Sequence, residues 1–388
     1  MKLALIIERF WPAGGGAERG TREVAEQLCA RGHEVTILCG QSDPAYGEGQ
    51  PYAVRISPFG PPRDTARLLA FRAWTARQLG RGGYDASLSA AMTLPASVVQ
   101  PLGGTVRETL ARNVAMRTSP RKRLTKKLSI ALSPKYQTML ALERQTVRSR
   151  RVRYFAAISD YVVRQLTETC GVAPARVEMV LNAVDLELPP ADQRAIIRRQ
   201  VREAFSIPQS ATVYLFAAFN PRLKGLPQLI EALDRLRQRE PSAVLMVAGQ
   251  SGYSEIELID RLSLREHVRL VGPTRKMAEL YAAADVTVLP SFYDSSGRVV
   301  IESLLAGVPA VTTAYAGAAD LVERADGRRC GRVIDDPRHT AALTDALAEL
   351  ADPEERRRCS AATEGMAEML SLGRYIDRLE SLLKRSAE

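Results

Sequence analysis

Paired cysteines are missing from this chain. Its five cysteines, Cys29, Cys39, Cys170, Cys330 and Cys359, make no Cys-x-x-Cys and no closely spaced framework. That excludes a disulfide-stapled scaffold and suits a reducing cytoplasm. Histidine is scarcer still: His33, His267 and His339 are scattered, so they assemble no metal site on their own, and neither a metal nor another cofactor is expected. No apolar run approaches the roughly 20 residues needed to span a bilayer, so any membrane contact is expected to be peripheral. Residues 1–9 are too short and too soon charged for a signal peptide and read as a first buried strand. Internal repeats and low-complexity tracts are absent as well.

What is present is length and unevenly placed charge. At 388 residues the chain exceeds the usual limit of a single core, so two domains are expected. The net charge is +10, yet residues 107–153 alone hold 14 Lys and Arg against Glu108 and Glu143, a local +12 that leaves the remainder at −2. Within this block Leu124, Leu128 and Leu132 recur at helical spacing beside Lys122, Arg123, Lys126 and Lys127. Two readings stand. One is a basic amphipathic helix suited to an anionic membrane surface; the other is a helix packed by its leucines with a solvated basic face. A nucleic-acid partner is not expected, because Tyr136 is the block's one aromatic and stacking platforms are missing.

Apolar strands and helical segments alternate along both halves. Strands are expected at 3–7, 34–39, 86–88, 152–158 and 177–180, then at 213–218, 244–249, 268–271 and 286–289, with helices between them. Consecutive βαβ units imply α/β architecture with parallel, doubly wound sheets and ligands at the strand C-termini. Pro189 and Pro190 support a boundary between the halves. The final stretch, 353–383, is helical with no strand after it.

Residues 282–309 are the most informative segment. They read as a buried strand, a polar loop, a helix from Arg298 and a Gly-Val-Pro turn. Asp294 falls at the strand's C-terminal mouth, and Glu302 lies eight positions on, about one turn into the helix. Between them Ser295, Ser296 and Gly297 offer hydroxyls and backbone N–H groups at the positive end of a helix, a site suited to phosphate. Phosphate donors flanked by two hydroxyl-binding carboxylates fit a nucleotide sugar. Arg222, Lys224 and Gly225 lie where another strand turns into a helix; cations are disfavoured at a helix N-terminus unless an anion pairs with them. Gly14, Gly15 and Gly16 follow the first strand, where backbone can approach a ligand closely. Gly249 and Gly272 end two further strands on the same rim.

The spacing of Asp294 and Glu302, the Lys224-Gly225 pair and the Asn-Ala-Val-Asp turn at 182–185 together resemble the retaining glycosyltransferases of the group 1, family-4-like class, above all its lipopolysaccharide core glucosyltransferases. The resemblance implies the GT-B fold: two Rossmann-like domains across a cleft. These would be an acceptor-side domain at 1–188 with a basic helical insertion near 107–150, a nucleotide-sugar domain at 189–365, and a C-terminal helix at 366–388 crossing back. It implies transfer of a hexose, with UDP-glucose as first donor and GDP-mannose or another UDP-hexose behind it. The acceptor would be an envelope glycan or a lipid-linked glycan such as lipopolysaccharide core, at the cytoplasmic face of the membrane. Lys224 and Arg222 would hold the diphosphate, Asp294 the transferred sugar, and Glu302 the ribose. Gly15, Gly16, Gly249, Gly272, Ser295, Ser296 and Gly297 would line the donor, and His33 would be structural.

Three departures stand out. Asp294 replaces the usual glutamate. Phe219 occupies the usual arginine position, five residues before Lys224. Gly103 and Gly104 fall near where the family carries a first-domain His or Asp, with Thr105 or Glu108 as substitutes. These departures leave an alternative, a catalytically weak or inactive sugar-nucleotide binder of the same fold. An epimerase on this fold would need further acid/base residues, which the sequence does not offer.

Overall fold

The computed structural model describes residues 1–11, 16–43, 49–117, 119–184, 186–250 and 252–388. The chain divides into two compact units, Met1–Asn182 with Leu372–Glu388, and Ala183–Ser371. The division falls ahead of Pro189 and Pro190, because that pair leads into helix Ala191–Ala204 of the second unit.

The first unit is built on seven parallel strands: β1 Lys2–Ile7, β2 Glu34–Cys39, β3 Ala53–Ile56, β4 Ala86–Ser89, β5 Val98–Val99, β6 Tyr154–Ala157 and β7 Val177–Met179. Their order is β3-β2-β1-β4-β5-β6-β7. Leu3, Ala4, Leu5 and Ile6 are all buried, as expected of a parallel strand covered on both faces, which reads as a continuous apolar run. The edge strand β3 is mostly exposed and has no such run, which is why periodicity does not announce it.

The second unit has six parallel strands: β8 Val213–Ala218, β9 Val244–Gly249, β10 Val268–Gly272, β11 Val286–Leu289, β12 Ala310–Thr313 and β13 Gly331–Ile334. Their order is β10-β9-β8-β11-β12-β13. Helix Leu226–Leu236 packs on it through Leu229, Ile230, Leu233 and Leu236, one apolar stripe at helical spacing. At the strand starts, fully buried Arg202 pairs with Asp285 at 2.8 Å, Arg198 pairs with the other oxygen at 2.6 Å, and the Val213 N–H donates to Asp285 at 2.7 Å. This network anchors helix Ala191–Ala204 to β8 and to the entry of β11.

Helix Leu372–Ala387 belongs to the first unit and buries Tyr375, Ile376, Leu379, Leu382 and Leu383. The Tyr375 hydroxyl meets Gln100 Oε1 at 2.9 Å. Glu380 takes Arg31 at 2.7 Å, His33 Nε2 at 3.0 Å and Lys384 at 2.5 Å, so His33 clamps this helix.

The basic block folds as helices Val106–Ala115, Pro120–Leu132 and Pro134–Arg148. The middle one buries no residue, and Leu124, Leu128 and Leu132 are 68%, 57% and 72% exposed. The reading in which those leucines pack the helix down is therefore wrong: they share the solvent with the lysines. No helix among the described residues is long and apolar enough to cross a membrane.

Candidate functional site

In the second unit β8 lies between β9 and β11, so the chain leaves it in opposite directions on its two sides. At such a switch point the loops beyond the strand C-termini part and leave a crevice for ligand. The loops after β8 and β11 meet here. Gly225 has a φ of +81°, and a Cβ on it would stand 2.1 Å from the Pro290 carbonyl oxygen, so only glycine lets the β8 loop press against the end of β11. The Phe292 N–H then donates to the Leu223 carbonyl at 2.9 Å, and Lys224 Nζ donates to the Tyr293 carbonyl at 3.1 Å.

That packing brings Lys224 Nζ to 2.5 Å from Asp294 Oδ2, with both side chains about four-fifths buried. The Asp294 backbone is fixed independently: its N–H donates to the Tyr315 carbonyl at 2.9 Å, and its own carbonyl accepts from Gly317 at 2.8 Å. Asp294 Oδ1 accepts the N–H groups of Ser296 at 3.2 Å and Gly297 at 2.8 Å. These are two of the amides that the sequence reading offers to phosphate. Asp294 holds them instead, because an aspartate side chain folds back onto the backbone N–H groups two and three residues further on, here just ahead of helix Arg298–Leu305. Ser295 and Ser296 are buried beside it, and Gly297 begins the helix at a φ of +77°.

Glu302 is buried inside helix Arg298–Leu305, and the hydroxyl of Tyr281 donates to its Oε2 at 2.9 Å. The same hydroxyl lies 3.2 Å from the Val299 carbonyl. Tyr281 is fully buried and sets the direction of the carboxylate. Nothing in the sequence signals this role, since a tyrosine ending helix Met277–Ala283 reads as core.

Arg222 does not join Lys224. Its Nε donates to Glu255 at 3.0 Å, and its guanidinium also reaches the Ser254 hydroxyl, so it ties the β8 loop to helix Tyr253–Arg261. Burial opposes ionisation of Glu255, but the bonds from Arg222 and Ser254 outweigh it and hold the carboxyl below its ordinary range. Phe219 and Tyr253, beyond the ends of the neighbouring strands β8 and β9, are 89% and 83% exposed. Gly249 closes β9, where a Cβ would stand 2.0 Å from the Ala218 carbonyl, whereas Gly272 at the end of β10 has open space above it.

In the first unit Gly16 is exposed and opens helix Gly16–Ala30, while Gly15 lies outside the described residues. Both substitutes for a first-domain acid or base are engaged within the first unit. Thr105 is fully buried, caps helix Val106–Ala115 and bonds Gln165. Glu108 is taken by Arg112 at 2.6 Å and the Tyr161 hydroxyl at 2.8 Å. Among the described residues no three His, Cys, Asp or Glu side chains converge as metal ligands would.

Residues 197–366 match the family described as Glycosyl transferases group 1, and residues 14–188 match Glycosyltransferase Family 4. Each match takes a little under half of the chain, and together they run through both units. The lipopolysaccharide glucosyltransferase WaaG of Escherichia coli strain K12 is 24% identical over 89% of this chain and 88% of its own length. D-inositol 3-phosphate glycosyltransferase 2 of Catenulispora acidiphila is 35% identical, over 50% of this chain and 49% of its own; the chain thus spans about half the length of that relative. A crystal structure of WaaG superposes with a TM-score of 0.78 at 21% identity, covering 98% of this chain and 99% of that one. HepE of Anabaena in complex with UDP-glucose gives 0.71 at 17% identity, covering 99% and 100%. The fold of the chain is therefore GT-B, with two Rossmann-like sheets.

Proposed function

We propose that the chain is a retaining, metal-independent hexosyltransferase that moves a sugar, glucose from UDP-glucose in the first instance, onto an envelope glycan or lipid-linked acceptor such as lipopolysaccharide core. The observation that carries this reading is the contact between Lys224 and Asp294 at the switch point of the second unit. Without ligand the two side chains neutralise each other. A donor diphosphate draws the ammonium away, and Asp294 then turns its Oδ2 to the hydroxyls of the transferred sugar while Oδ1 stays on the helix amides. Glu302, aimed by Tyr281, accepts from the ribose hydroxyls. Gly272, with nothing over it, leaves room for the base.

As the bond between the anomeric carbon and the phosphate oxygen breaks, negative charge grows on the leaving diphosphate, and Lys224 stabilises it in a water-poor site. The acceptor oxygen bonds to the anomeric carbon on the face the phosphate leaves. Its proton passes to the departing phosphate oxygen, so configuration is retained without a separate enzyme base. The engagement of Thr105 and Glu108 elsewhere favours this route. The same observation also suits the second reading, a sugar-nucleotide binder without turnover. The helix Pro120–Leu132, with three exposed leucines among its lysines, docks the chain peripherally on an anionic membrane at the cytoplasmic face.

Incubation with UDP-glucose, other UDP-hexoses and GDP-mannose, read by thermal protection and by release of the nucleotide, tests the proposal. Protection with slow hydrolysis supports the transferase, protection alone supports the binder, and neither with any donor contradicts both. EDTA should leave the activity intact; a strict requirement for a divalent ion would contradict the metal-free mechanism.

A further inference from the structure

A concavity in the first unit takes no part in the reaction proposed above. It has a volume of about 140 Å³ and is lined by Arg107, Glu143, Arg144, Val147, Arg148 and Cys170. Arg107 stands in the first turn of helix Val106–Ala115, the end at which the helix dipole disfavours a cation. Its Nη1 reaches only a backbone acceptor, the Thr169 carbonyl at 3.0 Å. Arg144 and Arg148 are one turn apart on helix Pro134–Arg148, a like-charge spacing that weakens a helix. Both are exposed, and among the described residues neither guanidinium has a hydrogen bond or an ion pair.

The one acid in the lining attracts Arg107 and can offset only one of the three charges. Glu143 is 3% exposed and already spent: Oε1 accepts the Arg107 N–H at 3.3 Å, and Oε2 accepts the Val106 N–H. Burial pushes its carboxyl up, against the pull of those two bonds. Burial likewise pushes the Cys170 thiol up to about 12, so the floor gains no charge from sulfur. Three arginines thus line one concavity around a carboxyl committed to a helix end. Their planar donor forks match the oxygens of a phosphoryl group.

We propose that Arg107, Arg144 and Arg148 form a phosphate-binding site, taking a phosphoryl group as free inorganic phosphate or as a phosphomonoester headgroup at a lipid surface. The site is independent of the donor-side residues and stands whether or not the transferase reading holds.

The test is calorimetric titration of inorganic phosphate, against chloride of equal ionic strength, into the full chain and the R144Q/R148Q and K224Q variants. Phosphate also fits a donor-diphosphate site, so a heat that survives K224Q and weakens at least tenfold in R144Q/R148Q belongs to this concavity. Vesicles of phosphatidylcholine with phosphatidic acid, or with phosphatidylglycerol at equal surface charge, separate the two sources. Binding to phosphatidic acid alone that depends on Arg144 and Arg148, without a response to soluble phosphate, assigns the headgroup. Binding of soluble phosphate that survives K224Q and is lost in R144Q/R148Q assigns the free ion. The R144K/R148K variant, which keeps the charge, and the melting curve of each variant show whether a loss reflects the guanidiniums or the fold. The proposal is overturned if wild type binds neither ligand, or if folded R144Q/R148Q binds both as wild type does.

Discussion

The two units wind their first six strands in the same order, from each first strand outwards to second and third on one side and to fourth, fifth and sixth on the other. They dress that order differently. In the second unit the loops at the switch point are stitched together and set Lys224 against Asp294. In the first unit the chain after β1 is glycine-rich and opens its helix at an exposed Gly16. The surplus of positive charge lies instead in the helices that follow β5. Strand order fixes where a ligand can sit, and loop chemistry fixes what it is. By this account the second unit recognises the donor, while the first contributes a surface.

The largest effect should separate scaffold from site within the second unit. Asp285→Ala leaves Arg202 buried without its counter-charge, which costs about 3–5 kcal/mol. A matching fall in denaturation midpoint is expected, with donor affinity unchanged in the fraction that stays folded. A smaller loss would mean that the backbone carbonyls around Arg202 carry the charge unaided.

The surface role of the first unit is sharpened by replacing Lys122, Arg123, Lys126 and Lys127 with glutamine. Each basic residue near an anionic membrane contributes about 1 kcal/mol, screened over roughly a Debye length. Vesicle sedimentation should therefore show the variant released, and raised salt should release wild type. Activity on a small soluble acceptor should survive, since Lys224, Asp294 and Glu302 are in the other unit. Wild type that ignores anionic vesicles at low salt would end the membrane assignment and leave the donor site untouched.

A third change probes the donor side alone. Glu302→Ala removes an acceptor for a ligand hydroxyl and should weaken donor binding by about 1–3 kcal/mol. Tyr281→Phe, which frees the direction of the carboxylate without removing it, should weaken it less. Calorimetry with UDP-glucose checks both; wild-type affinity in the alanine variant would move the ribose site elsewhere.

The smallest effect concerns the first unit's returning helix and its response to acid. Lys384, then Arg31, with His33 adding to them against the cost of burial, hold the Glu380 carboxyl at about 2. A carboxyl depressed on folding contributes stability above its unfolded value, near 4.5, and that contribution is lost as pH falls towards 2. Glu380→Gln should flatten the stability curve of the first unit between those limits; an unchanged slope would place the acid sensitivity on other carboxylates.

Much of this was legible before any coordinates. The apolar runs of β1, β2, β8, β9 and β11 announce buried parallel strands, and the segment from Val286 to Pro309 carries its own strand, loop and helix. Three things were not. β5 is two residues long and β3 is an exposed edge, so neither leaves a periodic trace. The partner of Asp294 depends on how tightly Gly225 packs under Pro290, a tertiary contact invisible in spacing. Arg222 reads as a second phosphate ligand, and spacing does not show that Glu255 meets it in the fold, since a cation at a loop can turn towards either neighbouring strand. The leucines of helix Pro120–Leu132 show the same limit: periodicity identifies a face but does not say what covers it.

The central claim is that Lys224 exchanges Asp294 for a leaving diphosphate. Its most direct test is a comparison of turnover and donor affinity in Lys224→Ala, with UDP-glucose saturating for the first and titrated for the second. Charge that develops only in the transition state is stabilised more than the ground state, and loss of one such donor costs about 10²–10³ in kcat. The account predicts a fall of that size in kcat with a much smaller change in donor Kd. An unchanged kcat under saturating donor would place the cation elsewhere and contradict it.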